Sequence, residues 1–184
     1  MIFKRAFTLL ELVFVIIVIA IITAIAIPDS RDSKLDEGAV QLISHIKYTQ
    51  HLAMVDDKYD ATNNTWFRNR WQITFNGDQY TIESDMGGTI ARNPLDQTPM
   101  QQIDLNDVYG ATVTFGANCP SAGNVGIISF DHLGRPLTGN IAVDVTPYPV
   151  GRLITNTCNI SLTSGANDVN ITIAPETGYA QISR

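Results

Sequence analysis

Few residues of this chain have the types and spacing that chemistry needs. Its three histidines are His45, His51 and His132. His45 and His51 stand six apart, so on a helix they point to different faces; a helix-surface or interface histidine is preferred over a metal ligand. Asp104-Leu105-Asn106-Asp107 offers carboxylate and amide oxygens of the kind calcium takes, yet the rest of a coordinating loop is missing and a polar turn fits better. No Ser-His-Asp or Cys-His set is readable, and no two carboxylates are placed as a catalytic pair. The chain therefore reads as a non-enzyme without a cofactor. Its two cysteines, Cys119 and Cys158, lack metal-ligand spacing; in an oxidising compartment they are expected to pair with each other. Asp168-Val169-Asn170-Ile171-Thr172 satisfies a glycosylation pattern, but a glycan there would need an outward-facing Asn in an expected strand, and an unmodified Asn170 is preferred.

The one acidic residue in an unusual place is Glu11. It is the only charge between Phe7 and Ile27, a stretch that reads FTLLELVFVIIVIAIITAIAI. Such a run is about as long as a hydrocarbon core requires, roughly 20 residues. A carboxylate within it costs about 2.5–3.5 kcal/mol at a bilayer centre and less near an end, which suits a helix that later meets a partner. Lys4 and Arg5 precede the run and Asp29, Asp32 and Asp36 follow it. The positive-inside rule then keeps the N-terminus in the cytoplasm and exports the rest. Three readings compete: a cleaved secretory signal ending at Ala24-x-Ala26, a plain signal anchor, and a leader cut before the run so that the run is kept.

Around these residues, the elements can be drawn from periodicity. Beyond Pro28, the residues Ala39, Leu42, Ile43, Ile46 and Ala53 recur at helical spacing. One bent helix is expected from about 7 to 56, kinked at Pro28 and weak at Gly38. Residues 57–70 read as a connecting loop. From Trp71 the period is two: Trp71–Phe75 and Gln79–Ile82 flank Asn76-Gly77, a hairpin signal. Further strands are expected at Thr112–Phe115, Gly126–Asp131, Ile141–Val145, Cys158–Thr163, Val169–Ala174 and Tyr179–Ile182, and Gly87–Val108 is expected to be a long loop with at most one short strand. Trp66, Phe67 and Trp71 beside Arg68 and Arg70 suit either a partner patch or a core Trp71 with solvated arginines. Hydrophobic residues make up 45% of the chain and charged ones 16%, with net charge −6; this excludes a disordered chain and argues against non-specific nucleic-acid binding.

The stretch Lys4-Arg5-Ala6-Phe7-Thr8-Leu9-Leu10-Glu11-Leu12, followed by an apolar run to Pro28, resembles the class III leader of type IV pilins and type II secretion pseudopilins. The resemblance implies cleavage by a prepilin peptidase between Ala6 and Phe7, N-methylation of Phe7, and an assembly role for Glu11, which pairs in that family with a neighbour's N-terminal amine. Ala6 departs from the family's usual Gly. Farther on, Ile127-Ile128-Ser129-Phe130-Asp131-x-x-Gly134-Arg135-Pro136 and Asn170-Ile171-Thr172-Ile173-Ala174-Pro175-x-Thr177-Gly178 resemble the pseudopilin H family (GspH/FimT type). Residues 57–110 resemble nothing nameable.

What the resemblance implies is an α+β chain: a leader at 1–6, a long N-terminal α-helix at 7–56 (7–27 its transmembrane part), a loop at 57–70, and an antiparallel β-sandwich at 71–184. The implied function is a structural subunit of a type II secretion pseudopilus or type IV pilus. Its partners would be other pseudopilins or pilins, the prepilin peptidase, the inner-membrane platform and the membrane itself. Its place would be the bacterial inner membrane, single-pass, with the C-terminal domain in the periplasm. The alternatives are a DNA-uptake minor pilin and a secreted soluble β domain. Relatives that bind DNA carry Gly-Arg-x-Arg near the C-terminus; the matching stretch here is Gly178-Tyr179-Ala180-Gln181, which lacks both arginines, so nucleic acid is not expected as a partner.

Overall fold

The computed structural model describes residues 8–26, 30–116, 118–119, 121–122 and 125–183. The chain divides into two units, Met1–Ser30 and Arg31–Arg184. The first carries helix α1, Leu9–Ala26. The second starts in helix α2, Ser30–Val55, and continues through strands β1 (Gln72–Asn76), β2 (Gln79–Ser84), β3 (Thr89–Ile90) and β4 (Ile103–Asp104). A short helix α3 (Leu105–Tyr109) leads to β5 (Thr112–Phe115), β6 (Ser121–Ala122), β7 (Val125–Phe130), β8 (Pro136–Thr138), β9 (Cys158–Ser164), β10 (Asn167–Ile173) and β11 (Ala180–Ser183).

This α+β arrangement corrects the expected one at its N-terminal end. Of the bent helix expected over 7–56, the structure describes Leu9–Ala26 and Ser30–Val55, and residues 27–29, Pro28 among them, lie outside the described residues. Among the described residues no helix is long and apolar enough to cross a membrane. Of the expected span of 7–27, residues 7 and 27 lie outside the described residues, and the helix described within it is Leu9–Ala26. The partly transmembrane helix is thereby overturned, and with it the single-pass inner-membrane placement with a periplasmic C-terminal domain.

In the second unit, burial follows period. Leu35, Ala39, Leu42, Ile46 and Ala53 form one buried stripe along α2, spaced by three or four residues or a multiple of turns. Tyr80, Ile82 and Ser84 alternate inward on β2; Cys158, Ile160 and Leu162 do so on β9, and Val169, Ile171 and Ile173 on β10. Two antiparallel sheets result. One runs β3-β2-β1-β7-β6, with β4 added beside β2 and β8 beside β7; the other runs β11-β10-β9-β5. The α2 stripe and residues from both sheets share one core. Side chains of α2 also reach the β region: Gln50 Nε2 donates to Gly134 O at 2.7 Å and to Thr177 O at 2.8 Å.

Several local expectations shift. The β1–β2 hairpin pairs Asn76 with Gln79, so its two-residue turn is Gly77-Asp78, one step beyond the expected Asn76-Gly77, with Gly77 at φ +64°. Asp78 is kept there by its role as an anchor: its Oδ1 accepts from Val113 N at 2.8 Å and its backbone O from Leu105 N at 3.0 Å. The region Gly87–Val108 holds two short strands and the start of α3. Ile141–Val145 is not a strand but a 3-10 turn over Ile141–Val143, started by Asn140, whose Oδ1 accepts from Ala142 N at 2.9 Å. Ile141 is buried while Val143 and Val145 are exposed; a strand would put all three on one face.

Candidate functional site: an apolar helix with one carboxylate

Helix α1 begins at Thr8. The Glu11 amide donates to Thr8 Oγ1 at 3.3 Å and the Leu12 amide to Thr8 O at 3.1 Å. Thr8 is thus the N-cap and Glu11 the third helical residue, the spacing of a capping box. A carboxylate in the first turn is also favoured by the positive end of the helix dipole. The Thr23 hydroxyl donates back to Ile19 O and Ala20 O, both at 3.0 Å, so its polarity is absorbed within the helix.

What remains on the surface of α1 is almost wholly apolar. Leu12 to Ile19 run without interruption, and Leu9, Leu10, Ile21 and Ile22 extend them. All of these side chains are between 36% and 82% exposed. Eight successive apolar residues cover every direction around a helix of 3.6 residues per turn. A helix apolar all round is built for burial rather than for a surface face. Glu11 is its one exception, and among the described residues none donates to the Glu11 carboxylate. The arrangement offers apolar contact on all sides and one anionic acceptor near the end. It carries no reactive constellation.

Of the other residues singled out in the sequence, Ala6 and Phe7 lie outside the described residues. Cys119 and Cys158 are joined by a disulfide with Cα atoms 4.7 Å apart; both are buried. The bond ties the segment after β5 to the first residue of β9, the strand that β5 pairs with. Asp104 caps α3. Its Oδ1 accepts from the Asn106 and Asp107 amides, each at 2.9 Å, and its Oδ2 from Gln79 Nε2 at 2.9 Å; these bonds hold its carboxyl below the usual range, the Gln79 bond first among them. Asn170 accepts from Ser161 Oγ and donates through Nδ2 to Asp168 Oδ2 at 3.1 Å.

In the aromatic and arginine cluster Trp71 is core, as one reading of it expects, but Arg70 is not solvated. Phe67 and Trp71 are in the interior, and so is Arg70, only 5% exposed. Its guanidinium carbon stands 5.1 Å from the centre of the Trp66 ring and 4.7 Å from that of Tyr148. Its Nη1 donates to Pro147 O at 2.7 Å, and burial pulls its pKa down. Arg68 Nε donates to Asp144 O at 2.8 Å. Arg135, part of the Gly134-Arg135 pair, is held by the buried Asp131 at 2.8 Å. These cations are anchors for the loop that carries Tyr148. No local pattern signals this, because the loop's partners are 76 and 77 residues away along the chain.

The chain was compared with protein-family models, curated proteins and solved structures, and no match was found in any of the three.

Proposed function

We propose that this chain is a structural subunit of a pilin-like filament, of the type II secretion pseudopilus or type IV pilus kind, that assembles by burying α1 among the equivalent helices of neighbouring subunits. The observation that carries the reading is the helix itself: apolar side chains exposed on every face, with one carboxylate in the first turn. Bundling satisfies that surface, since each buried Leu or Ile contributes about 1.5–3 kcal/mol. The leader-like residues Lys4-Arg5-Ala6-Phe7, which precede the helix in the sequence, support the reading by offering a processing site. Cleavage there would put a new α-amino group four residues before Glu11. In a bundle that excludes water, an amine and a carboxylate from neighbouring helices stabilise each other far more than they do in water.

Intact-mass analysis of the chain purified from its native cells tests this. The expected product starts at a methylated Phe7. A chain that still starts at Met1, or one that starts at Ile27, defeats the proposal.

A further inference from the structure

Both halves of the Cys119–Cys158 disulfide are shut inside the folded domain: Cys158 is 0% exposed and Cys119 5%. Cys158 is the first residue of β9, and β9 lies between β5 and β10 in its sheet. It stands opposite Ile173 of β10, and it alternates inward with Ile160 and Leu162, both fully buried. The Cys119 side is closed by the turn that carries it. The Cys119 amide donates to Gly116 O at 3.0 Å, and the Gly116 amide donates to Asn159 O at 2.8 Å. A Cβ on Gly116 would stand 3.2 Å from both Asn159 Cβ and Asn159 O, so the turn lies directly against β9. Cys119 borders a hollow of about 260 Å³, which opens no more of the residue than that 5%.

We infer that this disulfide is made before β9 docks between β5 and β10, by a thiol–disulfide exchange protein acting on the unfolded chain, and that folding then closes the bond to further exchange. The chemistry requires this order. The thiolate of one cysteine attacks a sulfur of the oxidant's disulfide; that bond breaks, one oxidant sulfur leaves as a thiolate, and a mixed disulfide joins the two proteins. The thiolate of the second cysteine then attacks the chain's own sulfur in the mixed disulfide. The Cys119–Cys158 bond forms and the oxidant's other sulfur is expelled. Two electrons and the two cysteine protons end on the oxidant, which departs as a dithiol. The intermediate is a covalent link to a foreign protein at Cys119 or Cys158, and neither position has room for one in the folded core. The same crowding bars the reverse reaction, so the folded bond is structural and not a redox switch; labile disulfides are the exposed or strained ones.

The test follows reduction of the native, oxidised full-length chain in detergent by dithiothreitol, read by rapid alkylation and mass spectrometry. Reduction is expected to be at least about a hundredfold slower in buffer than in denaturing urea, because only opened molecules react. Leu162→Ala is expected to speed the reaction in buffer by about thirtyfold or more, the fold-change of a buried leucine lost to a cavity, and to leave the rate in urea unchanged. Ile160→Val, a smaller cut in the same strand should Leu162→Ala not fold, is expected to speed it about two- to twelve-fold. The forward order is read with oxidised glutathione: the bond should form in the unfolded reduced chain and at least about a hundredfold more slowly once that chain has refolded. A reduced chain that cannot refold gives the same order. A native reduction rate within a few-fold of the rate in urea, or one indifferent to both substitutions, overturns the inference. So does equally fast oxidation of the refolded chain, or a glutathione adduct on Cys119 or Cys158 in a chain that keeps its native near-ultraviolet circular dichroism.

Discussion

His45 Nδ1 and the Tyr80 hydroxyl lie 2.6 Å apart, joining α2 to β2 across the edge of the core. Burial holds the imidazole pKa at about 4 and pushes the Tyr80 hydroxyl up. Because the His45 pKa is lowered relative to an unfolded value near ~6.5, the unfolded chain takes up a proton first as pH falls. The contribution of neutral His45 is therefore full above pH ~6.5, falls through the window down to about 4, and is gone below it. Urea denaturation of wild type and His45→Gln at a series of pH values should show the wild type losing more stability than the variant across that window. Parallel curves would mean that His45 titrates normally.

Gln41 is expected to carry a stability cost. Its Oε1 is buried without a donor, and such an acceptor costs about 1–3 kcal/mol. Gln41→Met keeps the volume and removes the acceptor. Thermal denaturation should show an unchanged or raised Tm, by the equivalent of about 1 kcal/mol, rather than the loss usual for a change on a packed helix.

The Cys119–Cys158 disulfide closes a separation of 39 residues. In the chain-entropy account, a loop of that length stabilises by about 4 kcal/mol. The double substitution Cys119→Ala, Cys158→Ala should lower the unfolding free energy by about 2–4 kcal/mol in equilibrium urea titrations, without changing the far-ultraviolet circular dichroism of the folded state.

Gly178 shows how the last hairpin is locked to α2. It has φ +67°, and a Cβ there would stand 2.6 Å from Gly134 O and 2.7 Å from Gln50 Nε2. Gln50 is the side chain that joins the two loops at Gly134 and Thr177. Gly178→Ala combines left-handed strain with a clash against backbone and should cost about 2–4 kcal/mol, read as a drop in the urea midpoint. Gly77→Ala, at φ +64° but with nothing within 4 Å, should cost only the backbone strain of about 1–2 kcal/mol.

The parts of this fold that were legible in the sequence are those set by local period. The strand at Thr112–Phe115 was expected with its observed bounds, and β7, β9, β10 and β11 to within two residues, because alternating Ile, Val and Leu face one core. The α2 stripe was legible for the same reason. What failed depended on side chains that act at a distance or on capping. Asn140 starts a 3-10 turn where β-branched residues suggested a strand. Asp78 shifts the hairpin turn by binding Val113 N, 35 residues away. Arg70 is buried because two rings and a distant carbonyl surround it. The apolar run did form a helix over its described residues, Leu9–Ala26. Of the candidate site, Glu11 and the apolar helix were legible in the sequence, whereas α3 was hidden inside a polar stretch.

The central claim is that α1 is buried against other helices of its kind. A photo-crosslinking residue placed at Val13 or Ile17 of the full-length chain, activated in its native cells, tests it directly. Crosslinks are expected to further copies of this chain or to chains with similar apolar N-terminal helices. Glu11→Ala is expected to reduce them several-fold, while the β domain keeps its disulfide and its stability. Absence of protein crosslinks from both positions, or crosslinks only to this chain's own Arg31–Arg184 unit, would contradict it.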